Sequence, residues 1–496
     1  MKNNIIKIII ASAFLTACSN EQPMEQIEPD KKPNVIYIFA DDLGYGEIGA
    51  FGQKLIKTPT LDQMAADGMI FTNHYSGSPV CAPSRSTLLE GKHTGHSQIR
   101  DNFELGGYLD EEERGQLPLK AGTVTIGTLM QDAGYKTAAI GKWGLGFNGS
   151  EGAPNKQGFD LFYGYLDQKQ AHNYYPTHLW KNTERAPLNN EYFSAHQAFE
   201  GDPNNAADYD KYKGSDYAVD HMTAEAKNFI NENKDDPFFL YLAYNIPHVA
   251  LQVPDERLEE YDFEETPYLG DNMYVPHQKP RAAYAAMITL MDDHIGQILA
   301  QLDDLNLTDD TLIMFTSDNG PTYVSGVDVE LFNSTDGLRG LKGDVYEGGI
   351  RVPMIAKWPG NIKPGTSTDH ISAIWDVLPT LGSIVGEDTP DDIDGVSFLP
   401  TLLGEENQVE HEALYWEYHD SRWAGSQAAR LGKWKAVRLG GHNDANAPIE
   451  LYNLDIDRAE SNDVAADNPD VIARVQAVFN SRTVSEVEGW NFATAE

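Results

Sequence analysis

The 496-residue chain is poor in cysteine, in basic side chains and in long apolar runs. Cysteine occurs twice, at Cys18 and Cys81, which excludes a scaffold stapled by many disulfides. Lysine and arginine number 37 against 76 aspartates and glutamates, a formal charge of −39. Such a surface repels nucleic acid and anionic membranes and keeps a chain soluble, so no nucleic-acid partner is expected. No stretch after the first residues has the length and apolar content of a transmembrane helix. Internal repeats and low-complexity tracts are missing too. What remains is an ordinary globular share of apolar (41%) and aromatic (10%) residues. The roughly 460 residues after the N-terminal stretch suffice for one large domain with an appendage, or for two domains.

The N-terminus opens on Lys2 and Lys7, and Ile8 to Ala17 is a short apolar run. It is too short to span a bilayer and reads as the core of a signal peptide. It closes on Leu15-Thr16-Ala17-Cys18, which resembles the lipobox of bacterial lipoproteins. That resemblance implies cleavage before Cys18 and a lipid on its sulfur. It also implies an exported protein at the periplasm or cell surface, touching the membrane only through that anchor. An ordinary signal peptide that contains a cysteine is the alternative. Residues 1–17 are therefore expected to be a signal peptide, and the polar residues 18–32 a flexible tether.

With Cys18 lipidated, Cys81 has no disulfide partner. A buried, inert thiol is the common fate of such a residue, but Pro79, Ala82, Pro83 and Arg85 are poor company for one. Pro83 suits the first turn of a helix that Ser84 to Glu90 can continue. Cys81 would then stand at a helix N-terminus, where backbone N–H groups attract an anion.

Four apolar runs end in polar groups: 34–40 before Asp41-Asp42, Tyr135 to Ile140 before Gly141-Lys142-Trp143-Gly144, Phe238 to Ala243 before Asn245 and Pro247-His248, and Thr311 to Thr316 before Ser317-Asp318-Asn319-Gly320. Unbroken runs of this kind fit strands buried on both faces of a parallel sheet. Thr125 to Ala133 and Arg281 to Leu305 carry apolar residues at helical spacing. The order is an α/β fold with long insertions, in which ligands bind beyond the carboxyl ends of the strands. Four polar strand ends at one edge point to a single site.

Asp41, Asp42, Asp318 and Asn319 bring side-chain oxygens from two strand ends. Taken alone, either pair reads as a solvated loop or a helix cap. Three acids converging in one place need a cation to offset their repulsion. All-oxygen ligation suits Ca²⁺ or Mg²⁺, and zinc is disfavoured because no histidine stands beside either pair. His93 and His96 read as a polar loop. Arg85 follows Cys81 by one helical turn, Lys142 ends its strand, and Lys342 lies in a glycine-rich stretch from Gly337 to Pro353. Singly, each lysine reads as a surface charge, and Arg351 with Glu347 as a structural ion pair.

The stretch Cys81-Ala82-Pro83-Ser84-Arg85 resembles the signature of the type I, formylglycine-dependent sulfatases of the alkaline phosphatase superfamily. Asp41-Asp42, Gly141-Lys142-Trp143, Pro247-His248, Ser317-Asp318-Asn319-Gly320 and Leu338 to Pro353 resemble that family in its own order. The likeness spans roughly residues 33–400, and Glu450 to Leu454 resembles the family's closing subdomain. It implies a large mixed, mostly parallel sheet flanked by helices, alkaline-phosphatase-like, over 33–403, with a smaller C-terminal α+β subdomain over 404–496. Ala413 to Tyr418 and Ala428 to Arg438 are the strand candidates there, and Asp470 to Ser481 the helix.

The resemblance also implies a chemistry. A sulfatase-maturing, formylglycine-generating enzyme would oxidise Cys81 to Cα-formylglycine (3-oxoalanine), whose hydrated aldehyde attacks sulfur with one hydroxyl and expels sulfate with the other. Asp41, Asp42, Asp318, Asn319 and an oxygen at position 81 would hold one Ca²⁺, with Mg²⁺ the poorer fit. Arg85 would orient the diol, Lys142 and Lys342 would clamp sulfate oxygens, Asp318 would take a proton, and His248 would protonate the leaving oxygen. One departure stands out: many members carry a histidine where this chain has Gly144. His96, His172 or Asp318 would have to cover its role.

A sulfate monoester is the implied substrate, on a sulfated carbohydrate or an aryl group. The alcohol half is read by loops. The aromatic stretch from Gln168 to Trp180, with His172 and His178, offers rings for a sugar face or a packed surface loop. Lys142, His248, Lys342, His96, Arg100 and His172 are the substrate-binding candidates, with Asp101 beside them. Two alternatives stay open: a phosphoester or phosphonate monoester hydrolase of the same superfamily, and an inactive surface glycan-binding lipoprotein.

Overall fold

The computed structural model describes residues 32–106, 113, 115–270, 274–420 and 422–494. The signal peptide, the tether and Cys18 lie outside the described residues. The main body is a ten-stranded sheet. Its five central strands are Thr311–Ser317, Asn34–Asp41, Phe238–Pro247, Lys136–Lys142 and Leu161–Tyr165, all mutually parallel. Met354–Lys357 joins one side antiparallel and Met69–Phe71 follows it. The His178–Lys181 and Glu184–Pro187 hairpin closes the other side.

The apolar runs behave as strands because both faces are buried. Val35, Tyr37 and Phe39 enter one core, whereas Ile36, Ile38 and Ala40 enter the other. Phe239 and Tyr241 separate from Leu240 and Leu242 in the same way, as do Leu312 and Met314 from Ile313 and Phe315. This is the period-two alternation of a pleated strand, and each such side chain adds about 1.5–3 kcal/mol on burial. Ala218–Glu232 and Pro280–Asp304 cover one face, the latter with Met287, Met291, Ile295, Ile298 and Leu302 inward. Cys81–Glu90, Ile126–Asp132 and Val377–Val385 cover the other. No helix among the described residues is long and apolar enough to cross a membrane.

A second, four-stranded antiparallel sheet follows: Leu414–Tyr418, Ser426–Leu431, Trp434–Leu439 and Ile449–Asn453. The run from Ala428 to Arg438, expected as one strand, is a hairpin. It turns at Gly432, whose φ of +58° suits a residue without a Cβ. The Pro469–Asn480 helix lays Val471, Val475 and Phe479 on this sheet.

Candidate active site

The parallel register brings four chain segments to one edge. Asp41 pairs with Pro247, Ala40 with Ser317, and Gly141 with Ala243. Asp41, Lys142, His248 and Asp318 therefore meet although more than 270 residues separate the first from the last. Gly141 is required there: at φ +119°, a Cβ would fall 1.9 Å from the Ala243 carbonyl oxygen. The Cys81–Glu90 helix points its first turn at the same edge, with Cys81 as its first residue after Val80.

The Cys81 sulfur lies 3.3 Å from Asp41 Oδ1 and 4.0 Å from Asp42 Oδ1. Lys142 Nζ is 2.7 Å from Asp41 Oδ2, and Lys342 Nζ is 2.8 Å from Asp42. Arg85 donates from NH2 to Asp318 Oδ2 at 2.9 Å and from NH1 to the Lys142 carbonyl at 2.6 Å. The Asp42 backbone N–H donates to Asp318 Oδ1 at 3.0 Å. Asn319 Nδ2 donates to Asp42 Oδ1 at 2.7 Å. His248 donates from Nδ1 to the Val249 carbonyl, which turns Nε2 toward Asp42 Oδ2 at 3.6 Å. Asp41, Asp42, Arg85, Asp318 and Asn319 are fully buried. A cavity of about 390 Å³ opens above them, lined by Cys81, Lys142, Lys342, His172, His248 and Tyr274 among others.

Electrostatics follow from this crowding. Burial alone would raise the Asp41 carboxyl, but Lys142, His248, Arg85 and Lys342 hold it far below the carboxylate range. Asp318 goes the other way: burial and the Asp41 charge push it up to about 7. Burial, then Asp41, push the Cys81 thiol well above its ordinary value. An unmodified thiol here is held protonated and is a poor nucleophile. Burial and Lys342 lower His248 to about 4.

The donor set fits a hard divalent cation. Asp41, Asp42, Asp318 and Asn319 offer only oxygens, and Asn319 Oδ1 is buried with no partner among the described residues. A buried acceptor left bare costs about 1–3 kcal/mol, so this oxygen awaits a donor or an ion. Three carboxylates here face the three cations Arg85, Lys142 and Lys342. Their formal charges cancel, and a divalent ion would leave the floor positive enough to draw an anion into a strongly acidic protein.

Of the expected site residues, Cys81, Arg85, Lys142, His248, Lys342, Asp318, Asp41, Asp42, Asn319 and His172 come together. His172 stacks on His248 with ring centroids 4.6 Å apart, and its Nδ1 lies 2.9 Å from His196 Nε2.

Two substrate-binding candidates are corrected. Arg100 turns away to pair with the buried Glu417 at 2.9 Å and to donate to Thr483. His96 is spent between Asp394, 2.9 Å away, and the Ser481 carbonyl. His93 joins Asp394 as well, so the pair does gain an acidic partner. In this structure the three groups satisfy one another: His93 Nδ1 accepts the Gly95 N–H, which leaves the proton on the nitrogen facing Asp394. The aromatic stretch divides between its two readings: Tyr174 and Tyr175 are buried, and Tyr174 donates to the Asn245 and His248 carbonyls and so supports the His248 turn, whereas His172 lines the cavity. Arg351 and Glu347 pair as expected, at 3.1 Å.

Reading the sequence missed Asn102 and Tyr274 as cavity walls; both are isolated loop residues with no motif to mark them. Gln168, the first residue of the aromatic stretch, also lines the cavity and fills the space beside Gly144, where a Cβ would meet its Cγ at 2.7 Å.

Comparison with known proteins bears on this site directly. A family model described as Sulfatase matches residues 33–387, and one described as N-sulphoglucosamine sulphohydrolase, C-terminal, matches 342–485. The chain is 30% identical to a steryl-sulfatase of Rattus norvegicus over 78% of its own length and 73% of that protein. It is 28% identical to an N-acetylgalactosamine-6-O-sulfatase of Bacteroides thetaiotaomicron, over 97% and 99% of the two chains. Among solved structures, Ps i-CgsB in complex with k-i-k-neocarrahexaose superposes with a TM-score of 0.74 at 28% identity, over 94% of this chain and 96% of that one.

Proposed function

The chain belongs to the sulfatase family and is a sulfuric ester hydrolase, and on that premise we propose that it removes sulfate from a sulfated carbohydrate, with formylglycine at position 81 and one Ca²⁺ ion. The observation that carries this is the placement of Cys81 between Asp41 and Asp42, beside the bare Asn319 oxygen. The carbohydrate half draws on two relatives, one named for a sulfated amino sugar and one holding a hexasaccharide. Small aryl sulfates would serve as probes of the same site.

Asp41, Asp42, Asp318, Asn319 and an oxygen at position 81 would hold the ion. When bound, such an ion would supply Lewis-acid polarisation of a sulfate oxygen, and the matured residue would supply the nucleophile. The chain's own side chains do the rest. Lys142 and Lys342, already converging on the floor, bind the sulfate oxygens and stabilise charge that shifts onto them. Arg85 fixes Asp318 through its NH2 contact and so holds the proton acceptor in place. His248, locked through Nδ1, turns Nε2 toward the departing oxygen. Its imidazole is lowered to about 4 by burial and Lys342, and the charge of a bound anionic ester would favour the protonated ring that can hand that oxygen a proton. His172, stacked beneath it, forms the leaving-group wall. Export as a lipoprotein through Cys18, and maturation by a dedicated enzyme, complete the proposal.

The test is peptide mass spectrometry of the residue at position 81 in protein made with a sulfatase-maturing enzyme, alongside sulfate release from an aryl sulfate and from sulfated saccharides. The expected result is an aldehyde in place of the thiol, hydrolysis of sulfate over phosphate esters, and no multiple turnover by Cys81→Ala or Cys81→Ser. Full turnover with an intact –SH overturns the proposal.

A further inference from the structure

Beside the cavity, two exposed aromatic rings are tied together by a shared set of polar contacts. Tyr323 is 43% exposed and Trp423 is 38% exposed. Arg422 joins them: its NH1 donates to Tyr323 Oη at 3.1 Å, and its guanidinium lies 5.5 Å from the Trp423 ring centre. Asp344 Oδ1 accepts both Arg422 NH2 and Trp423 Nε1, each at 3.0 Å. Asp344 Oδ2 accepts the Leu341 N–H at 3.1 Å, which ties the set to the turn that carries Lys342. Tyr323 and Arg422 line the same cavity as Cys81. The rings thus stand at a fixed offset from the sulfate-binding floor.

Tyr and Trp, with an apolar ring and a polar handle, are enriched at binding surfaces. Rings already tied by polar contacts lose little side-chain freedom when a ligand arrives. The mixture of ring faces with a guanidinium and a carboxylate suits a ligand with apolar C–H faces and hydroxyl edges, and it suits neither a lipid tail nor a flat apolar protein surface. Resting on the carbohydrate reading above, we infer that Tyr323, Arg422 and Trp423 form a platform for the sugar next to the one that bears the sulfate. The substrate is then an oligosaccharide or polymer, not an isolated monosaccharide.

The experiment compares kcat/KM for one sulfated sugar as a mono-, di- and tetrasaccharide, and for an aryl sulfate, in the wild-type and Trp423→Ala enzymes, with unfolding midpoints measured in parallel. The wild type is expected to gain about tenfold from the second sugar. Trp423→Ala removes that gain and leaves the aryl sulfate within about twofold. Trp423→Phe, which keeps a ring and loses the Asp344 contact, retains part of it. Absence of a length gain in the wild type overturns the platform alone. Equal losses on aryl and saccharide sulfates also overturn it, because the cluster then only braces the Lys342 turn. Hydrolysis of aryl sulfate with no saccharide turned over at any length sinks the carbohydrate reading and the platform together.

Discussion

Two clusters of buried charge can be set side by side. At the floor of the cavity, Asp41, Asp42 and Asp318 meet Arg85, Lys142 and Lys342. Beneath the C-terminal sheet, Glu347 and Glu460 meet Lys435, whose Nζ lies 3.2 and 3.1 Å from them, and Arg351. Both are dense with charge. In the second, every carboxylate oxygen has a protein partner: besides Lys435, Glu347 Oε2 accepts Tyr75 Oη at 2.8 Å, and Glu460 Oε2 accepts the Glu347 N–H at 2.7 Å. The first keeps a bare acceptor on Asn319 and an open wall. Buried charge therefore does not mark function by itself. A lone pair left over beside a cavity does.

The contrast can be broken by mutation, and the largest effect is expected in the second cluster. Lys435→Met leaves buried Glu460 without its cation and Glu347 with Arg351 alone, and a buried pair broken from one side costs about 3–5 kcal/mol. Urea unfolding should show that loss, with kcat/KM of the folded fraction changing far less. Lys342→Ala should reverse the pattern: kcat/KM falls by about 10²–10³-fold, as for removal of a donor to developing charge, and the unfolding midpoint in Ca²⁺ barely moves.

Ca²⁺ sharpens the same distinction. At a hundredfold excess over its Kd, an ion bound only to the folded state adds about 2.7 kcal/mol. A chelator should remove both this increment and sulfate release. Asn319→Leu should abolish the increment, whereas Lys435→Met should keep it.

The remaining tests are pH titrations at two other ion pairs, the buried one first. Burial would raise Glu417, but its bonds to His419 and Arg482 and the charge of Arg100 hold it well below the carboxylate range. A depressed carboxyl contributes stability above its ordinary pKa of about 4.3 and loses it as pH falls. Glu417→Gln should therefore flatten the acid limb of the stability curve below about pH 4. His96 is raised, chiefly by its bond to Asp394, so its contribution is complete below about pH 6.5 and is lost as pH rises past its folded value. His96→Gln should cost below about 1 kcal/mol, and only on the acidic side.

The centre of the sheet was readable because strands buried on both faces leave unbroken apolar runs, as in 34–40 and Thr311 to Thr316. Its margins were not. Met69–Phe71 and Thr366–Thr368 have three residues each, too few for any period to register. Position along the chain also misled: Arg100 and His96 follow the Cys81–Glu90 helix closely, but the helix stops at Gly91, whose φ is +68°, and the chain then runs toward the C-terminal sheet. The nine residues at the floor were legible because strand ends and a helix start fix where they go. Tyr274, Tyr323 and Arg422 come from loops, where sequence carries no direction.

The loop holding Lys342 is anchored five residues later by Glu347, one of whose countercharges, Lys435, belongs to the far sheet. The two sheets are thus separate in architecture and joined in energetics. A shortened version ending near residue 404 would keep every group that touches sulfate and leave Glu347 with Arg351 but without Lys435, so engineering or domain exchange in this protein has to move both sheets as one cassette.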